Sequence, residues 1–94
     1  MQTYEYILLP HPLQHNSYIW YISFFPIWTC DTSTFTWTYA EKETCLILEG
    51  DITVTPNGGE PVSFGVGDLV IFPEGMSCTW EVHKAVRKHY RFGN

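Results

Sequence analysis

The stretch GDLVIFPEGMSCTW, residues 67–80, holds two apolar runs separated by a proline and glycine turn. DLVIF is short, rich in branched side chains and bounded by Gly67 on one side and by Pro73 to Gly75 on the other, the form of a buried strand closed by turns. In SCTW polar and apolar residues alternate, so Cys78 and Trp80 share one face of a strand and Thr79 takes the other. These residues therefore fold as strand, turn, strand, and the same pattern extends outward in both directions.

Upstream, TSTFTWTYA alternates threonine with Phe35, Trp37 and Tyr39, giving a strand with one aromatic face and one hydroxyl face. It ends at the charged corner AEKE. TCLILEG and DITVT follow as strands, and PNGGEP closes a hairpin in which Asn57, Gly58 and Gly59 suit the positive backbone angles of a tight turn. A further strand is expected over residues 62–64. Downstream, SCTWEV and AVRKHYRF are the last two strands. Continuing the alternation from Cys78 places Trp80 and Val82 inward and Thr79, Glu81 and His83 outward. From Thr32 onward nothing has a helical period, and a series of short strands with glycine and proline turns predicts an all-β sandwich or barrel.

The chain of 94 residues has room for one domain with a single core. Residues 1–25 are its atypical part: Pro10 and Pro12 break any helix, and the aromatic run YIWYISFFPIW, Tyr18 to Trp28, is expected to form an edge strand of the barrel or a contact with a second copy. A homodimer is the expected assembly. Aromatic residues make up 17% of the chain and charged residues 16%, a balance that asks for extensive burial. The net charge of -5 argues against nucleic acid as partner. Lys84, Arg87, Lys88 and Arg91 cluster near the end of the chain, and they read as a solvated strand face, with an anion site as the alternative. Cys30, Cys45 and Cys78 match neither a disulfide framework nor a zinc knuckle, which fits a reducing, cytoplasmic setting. No basic residue precedes the aromatic run, which is too short to span a bilayer, so neither a secretion signal nor a membrane segment is expected.

Two segments can now be set beside a family pattern. The cupin barrels carry a first motif of paired histidines, a glutamate and a glycine, and a second motif of glycine, proline, glycine and histidine. Glu43 and Gly50 keep the spacing of the first, and Gly67, Pro73 and Gly75 keep that of the second. From PIW to HYRF, roughly residues 26–92, the chain resembles the small single-domain cupins of the EutQ-like, or "cupin 3", group. That resemblance implies a conical antiparallel β-barrel, a double-stranded β-helix or jelly roll, with its pocket in the mouth. It also implies a divalent metal, zinc, iron or manganese. The group includes metal-dependent enzymes acting on ureido compounds and proteins of ethanolamine utilisation. Yet the histidine positions here hold Trp37, Tyr39 and Cys78, and of the usual four ligands Glu43 alone remains.

Three chemistries follow from that substitution. The first is a binding pocket formed by Phe35, Trp37, Tyr39, Glu43, Cys78 and Trp80, in which rings supply flat apolar surface and Glu43 one charge, suited to an aromatic or amine-bearing molecule. The metal site is then degenerate and no cofactor is expected. The second keeps a divalent metal on Glu43 and Cys78, with Tyr39 as a third donor, in an enzyme acting on a small organic substrate. In the third, metal-free catalysis, Glu43 acts as acid or base and Cys78 as nucleophile, which requires a group that lowers the thiol pKa.

Overall fold

The computed structural model describes residues 7–8 and 21–93. Among the described residues seven strands are formed: β1 (Ile7–Leu8), β2 (Ile27–Cys30), β3 (Ser33–Thr38), β4 (Glu43–Pro56), β5 (Val62–Gly65), β6 (Leu69–Phe72) and β7 (Ser77–Phe92). Every pairing between them is antiparallel. The sheet runs β1-β6-β4-β7-β2, with β3 also on β7 and β5 also on β4. No pairing among the described residues closes this path into a complete ring.

β4 and β7 organise the rest, and they correct the expected strand count. TCLILEG and DITVT are one strand of 14 residues, and SCTWEV and AVRKHYRF are one strand of 16. Each long strand serves two sets of neighbours. β4 pairs with β6 over Glu43 to Leu46 and with β5 over Asp51 to Val54. β7 pairs with β3 over Ser77 to Val82 and with β2 over Val86 to His89. Between these halves the β4–β7 register shifts three times, between Ile47 and Ile52. Such bulges bend a strand and re-aim its side chains, which lets one strand pass from one wall of a barrel to the other.

The side chains record the bend. Along β4 the inward residues are Glu43, Cys45 and Ile47 before the shifts, and Ile52 and Val54 after them, a change from odd to even positions. Gly50 makes the close approach possible: its φ is +119°, and a Cβ there would stand 2.8 Å from the Val86 Cα. Sequence patterning sees a glycine between two short strands. The structure needs that glycine to keep one long strand in contact with another.

The main core lies inside the fold, where Tyr39, Phe64, Phe72, Met76 and Trp80 pack with the inward aliphatics of β4, β6 and β7. A smaller cluster of Ile22, Leu46 and Leu69, with Phe25 and Leu48 against it, covers the outer face of the sheet. The aromatic run is thus divided among different tasks. Tyr21 and Ile22 are helical, Ile22 is fully buried on this outer face, and β2 begins at Ile27 as an edge strand beside β7. The part of the run before Tyr21 lies outside the described residues.

Candidate functional site

The inward alternation of β3 and β7 assembles a cavity of about 350 Å³, and rings form most of its wall. β3 contributes Phe35 and Trp37, and Tyr39 follows just beyond it; β7 contributes Trp80, Lys88, Tyr90 and Phe92; β2 contributes Trp28 and Cys30; and β4 begins at Glu43. Trp37 and Phe92 are about half exposed at the rim. Trp80 lies nearly parallel to Phe35, with centroids 5.9 Å apart, and edge-on to Trp28 at 6.2 Å. Tyr39 stacks on Phe72 at 5.3 Å. These offset and edge-on arrangements are the favoured ones for aromatic pairs, and they hold the wall in a fixed shape.

Five of the six residues chosen from the sequence, Phe35, Trp37, Tyr39, Glu43 and Trp80, come together on this lining. Cys78 does not reach it. The Cys78 side chain is buried in the core, and its thiol donates a long hydrogen bond of 3.7 Å to the Trp37 carbonyl. Burial pushes the thiol up to about 11; the Trp80 indole opposes that rise, and the Glu43 carboxylate adds to it. The indole N–H influences the thiol in this way without a well-aligned bond, for Trp80 Nε1 is buried with no hydrogen-bond partner among the described residues. Cys45, beside Glu43 on the same face of β4, is held up to about 12 by burial.

Lys88 is the residue that sequence reading misplaced. It is not part of a solvated basic face: it is 4% exposed, and its Nζ stands 2.7 Å from Glu43 Oε2 in an ion pair that is buried on both sides. The same ammonium lies 4.8 Å from the ring centre of Trp28 and 4.6 Å from that of Trp80. An ammonium has three N–H donors, and here one meets a carboxylate while two indole faces surround the remainder. Strand parity holds part of the signal, since it places Lys88 on the inward series, but it places the exposed Lys84 there as well. The even-numbered inward series of β7 begins at Cys78, Trp80 and Val82, and it resumes at Val86, Lys88 and Tyr90. Trp28 and Cys30, also missed, alternate in the same way on β2.

The other basic residues of β7 behave differently. Lys84 and Arg87 are exposed. Arg91 Nη1 donates to the Tyr21 hydroxyl at 2.7 Å and its guanidinium lies over the Phe25 ring, so it ties the N-terminal turn to β7.

The donor set can be compared with the metal that the family resemblance implies. Glu43 already faces a cation at bonding distance, and a divalent ion would have to share that carboxylate with an adjacent ammonium. The Cys78 thiol lies in the core, off the cavity lining, and donates to the Trp37 carbonyl. The Tyr39 hydroxyl is pushed well above its ordinary range by burial and then by the Glu43 carboxylate. His83 pairs with Thr53 on the outer face at 2.9 Å, and His89 Nδ1 pairs with the Phe25 carbonyl at 2.9 Å. Among the described residues no group of three histidine, cysteine or acidic side chains converges on a point. These residues do not fit a divalent ion in the cavity.

A small antiparallel barrel with a ring-walled mouth pocket defines the class: this is a cupin fold. The sequence profile of the EutQ-like cupin domain matches residues 23–90, and the chain belongs to that family. Among solved structures it is similar to a DUF861 family protein from Thermotoga maritima, with 37% identity, a TM-score of 0.83, and coverage of 96% of this chain and 99% of that one. It is also similar to a candidate ethanolamine utilization protein Q from Salmonella typhimurium, at 28% identity and a TM-score of 0.65, over 71% of this chain and 54% of that one. The EutQ protein of Clostridium difficile, at 24% identity and a TM-score of 0.65 over 71% of this chain and 52% of that one, shares the fold. No curated protein matches the chain. No described helix is long and apolar enough to cross a membrane.

Proposed function

We propose that the barrel mouth is a binding site for a small, flat organic molecule, and that it works without a resident metal. The observation that carries this reading is a cavity of about 350 Å³ walled by aromatic rings, with a buried ion pair among its few polar features. Pockets of this kind bind through apolar contact and take their selectivity from a few placed polar groups. Trp28, Phe35, Trp37 and Trp80 supply the ring surface, and Glu43, Lys88 and the Tyr39 hydroxyl supply the polar end. A metal-dependent reaction on Glu43 and Cys78 has no such support, because the first is paired with Lys88 and the second, a thiol held up by burial, lies off the lining. The same protonated thiol is a poor nucleophile, which weighs against metal-free covalent catalysis.

A homodimer would cover apolar side chains left open at the rim, where Trp37 and Phe92 are each more than a third exposed. The free cysteines Cys30, Cys45 and Cys78 suit a cytoplasmic protein.

A screen of small aromatic compounds by tryptophan fluorescence and calorimetry tests the binding role. Trp37→Ala removes a ring from the rim without opening the core. Hits whose affinity drops about tenfold in that variant support the site. A screen without hits, or hits indifferent to Trp37, would show that the cavity is not a binding site.

A further inference from the structure

We infer that the ligand is an uncharged planar molecule, an inference that rests on the binding role proposed above. The charged side chains on the cavity lining are Glu43 and Lys88, of opposite sign and 2.7 Å apart. Each already has its complement inside the pocket. The ammonium is further enclosed by the faces of Trp28 and Trp80 at 4.8 and 4.6 Å. The lining therefore presents no net charge to a ligand.

A charged ligand would have to break into this arrangement. An amine reaching Glu43 would bring a second cation beside the Lys88 ammonium, in surroundings where water screens little. A carboxylate reaching Lys88 would meet Glu43 in the same way. In both cases one buried charge loses part of its partner, which is the costly outcome for desolvated ions. This argues against the amine-bearing ligand that the sequence favours when Glu43 is read as an unpaired charge. An uncharged ring asks for no such exchange. It gains contact with Phe35, Trp37 and Trp80, and its polar edge can meet the pair as a dipole.

The test uses benzamide, benzylamine and benzoate at neutral pH, three molecules of one shape carrying charges of zero, plus one and minus one. With the wild-type protein, calorimetry should show benzamide binding at least about tenfold more tightly than either ion. Glu43→Gln leaves the ammonium unmatched, so benzoate should overtake benzamide. Lys88→Met leaves the carboxylate unmatched, and there benzylamine should lead. Should either variant fail to fold by circular dichroism, the wild-type order alone decides. Wild-type preference for benzylamine or benzoate, lost in Trp37→Ala, would overturn the charge inference and leave the binding role standing. If none of the three binds, the charge of the compounds found in the wider screen decides: uncharged hits support the inference and charged ones sink it. A silent screen overturns the binding role and this inference together.

Discussion

β7 carries two lysines of the same parity, Lys84 and Lys88, and they end in opposite environments. Lys84 is exposed and stands in register with Asp51, beside the shifts in the β4 ladder. Lys88 stands in register with Ile47 on one side and Trp28 on the other, and its ammonium is buried against Glu43. Residue type does not separate them, nor does alternation along the strand. The difference lies in the neighbours: at Lys84 the bulged β4 turns away from regular pairing, whereas at Lys88 two strands and two indoles enclose the side chain. A lysine is buried here because the fold supplies a carboxylate and two ring faces at one point.

The largest expected effect sharpens that contrast. Removing one member of a buried pair strands the other without a partner, so Lys88→Ala should cost about 3–5 kcal/mol in urea unfolding, whereas Lys84→Ala should stay within about 0.5 kcal/mol. Replacing both partners together, Glu43→Leu with Lys88→Met, should recover most of that loss, because well-packed apolar residues replace buried ion pairs at little cost. Equal costs for the two alanine variants would show that the Lys88 pair contributes no more than a surface charge.

A smaller effect addresses the bulge that separates the two lysines. Gly50→Ala places a Cβ 2.8 Å from the Val86 Cα at a φ of +119°. It should destabilise by about 1–3 kcal/mol, since L-residues are strained at that angle and the obstacle is backbone. A variant as stable as the wild type, measured by chemical denaturation, would mean that the β4–β7 approach yields easily.

The smallest effect concerns the thiols next to the pair. Burial raises Cys78 to about 11 and Cys45 to about 12 from an ordinary value of 9.0. Above that ordinary value the unfolded chain releases these protons while the folded chain keeps them. Stability should therefore be complete below about pH 9 and decline as pH rises toward the folded values. Urea midpoints at about pH 8 and about pH 10 should fall in the wild type and fall less in Cys78→Ala. Identical declines in both proteins would remove Cys78 as a contributor.

Much of the barrel was legible along the chain. Turn residues at Asn57 to Gly59 and at Pro73 to Gly75 marked the strand ends, and the alternation of Phe35, Trp37 and Tyr39 named three residues that do meet on the cavity lining. His83 was read as outward, and it pairs with Thr53 there. Illegible were the long strands, because a bulge at Gly50 looks like a turn when the partner strand is unknown. Motif spacing puts Cys78 at a histidine position and so on the lining, yet spacing and strand parity give a position and a face and not a depth.

The sequence by itself determined the fold class, the family and the aromatic character of the pocket, since these rest on local periodicity, turn chemistry and motif spacing. The tertiary structure alone decided the charge of the site. Glu43 and Lys88 are 45 residues apart along the chain, and the antiparallel pairing of β4 with β7 brings their side chains to 2.7 Å. Whether a carboxylate is an open anchor or a neutralised one depends on what stands beside it in space. No spacing along one chain carries that information, because the cation comes from another strand and its burial from one ring on that strand and one on a third.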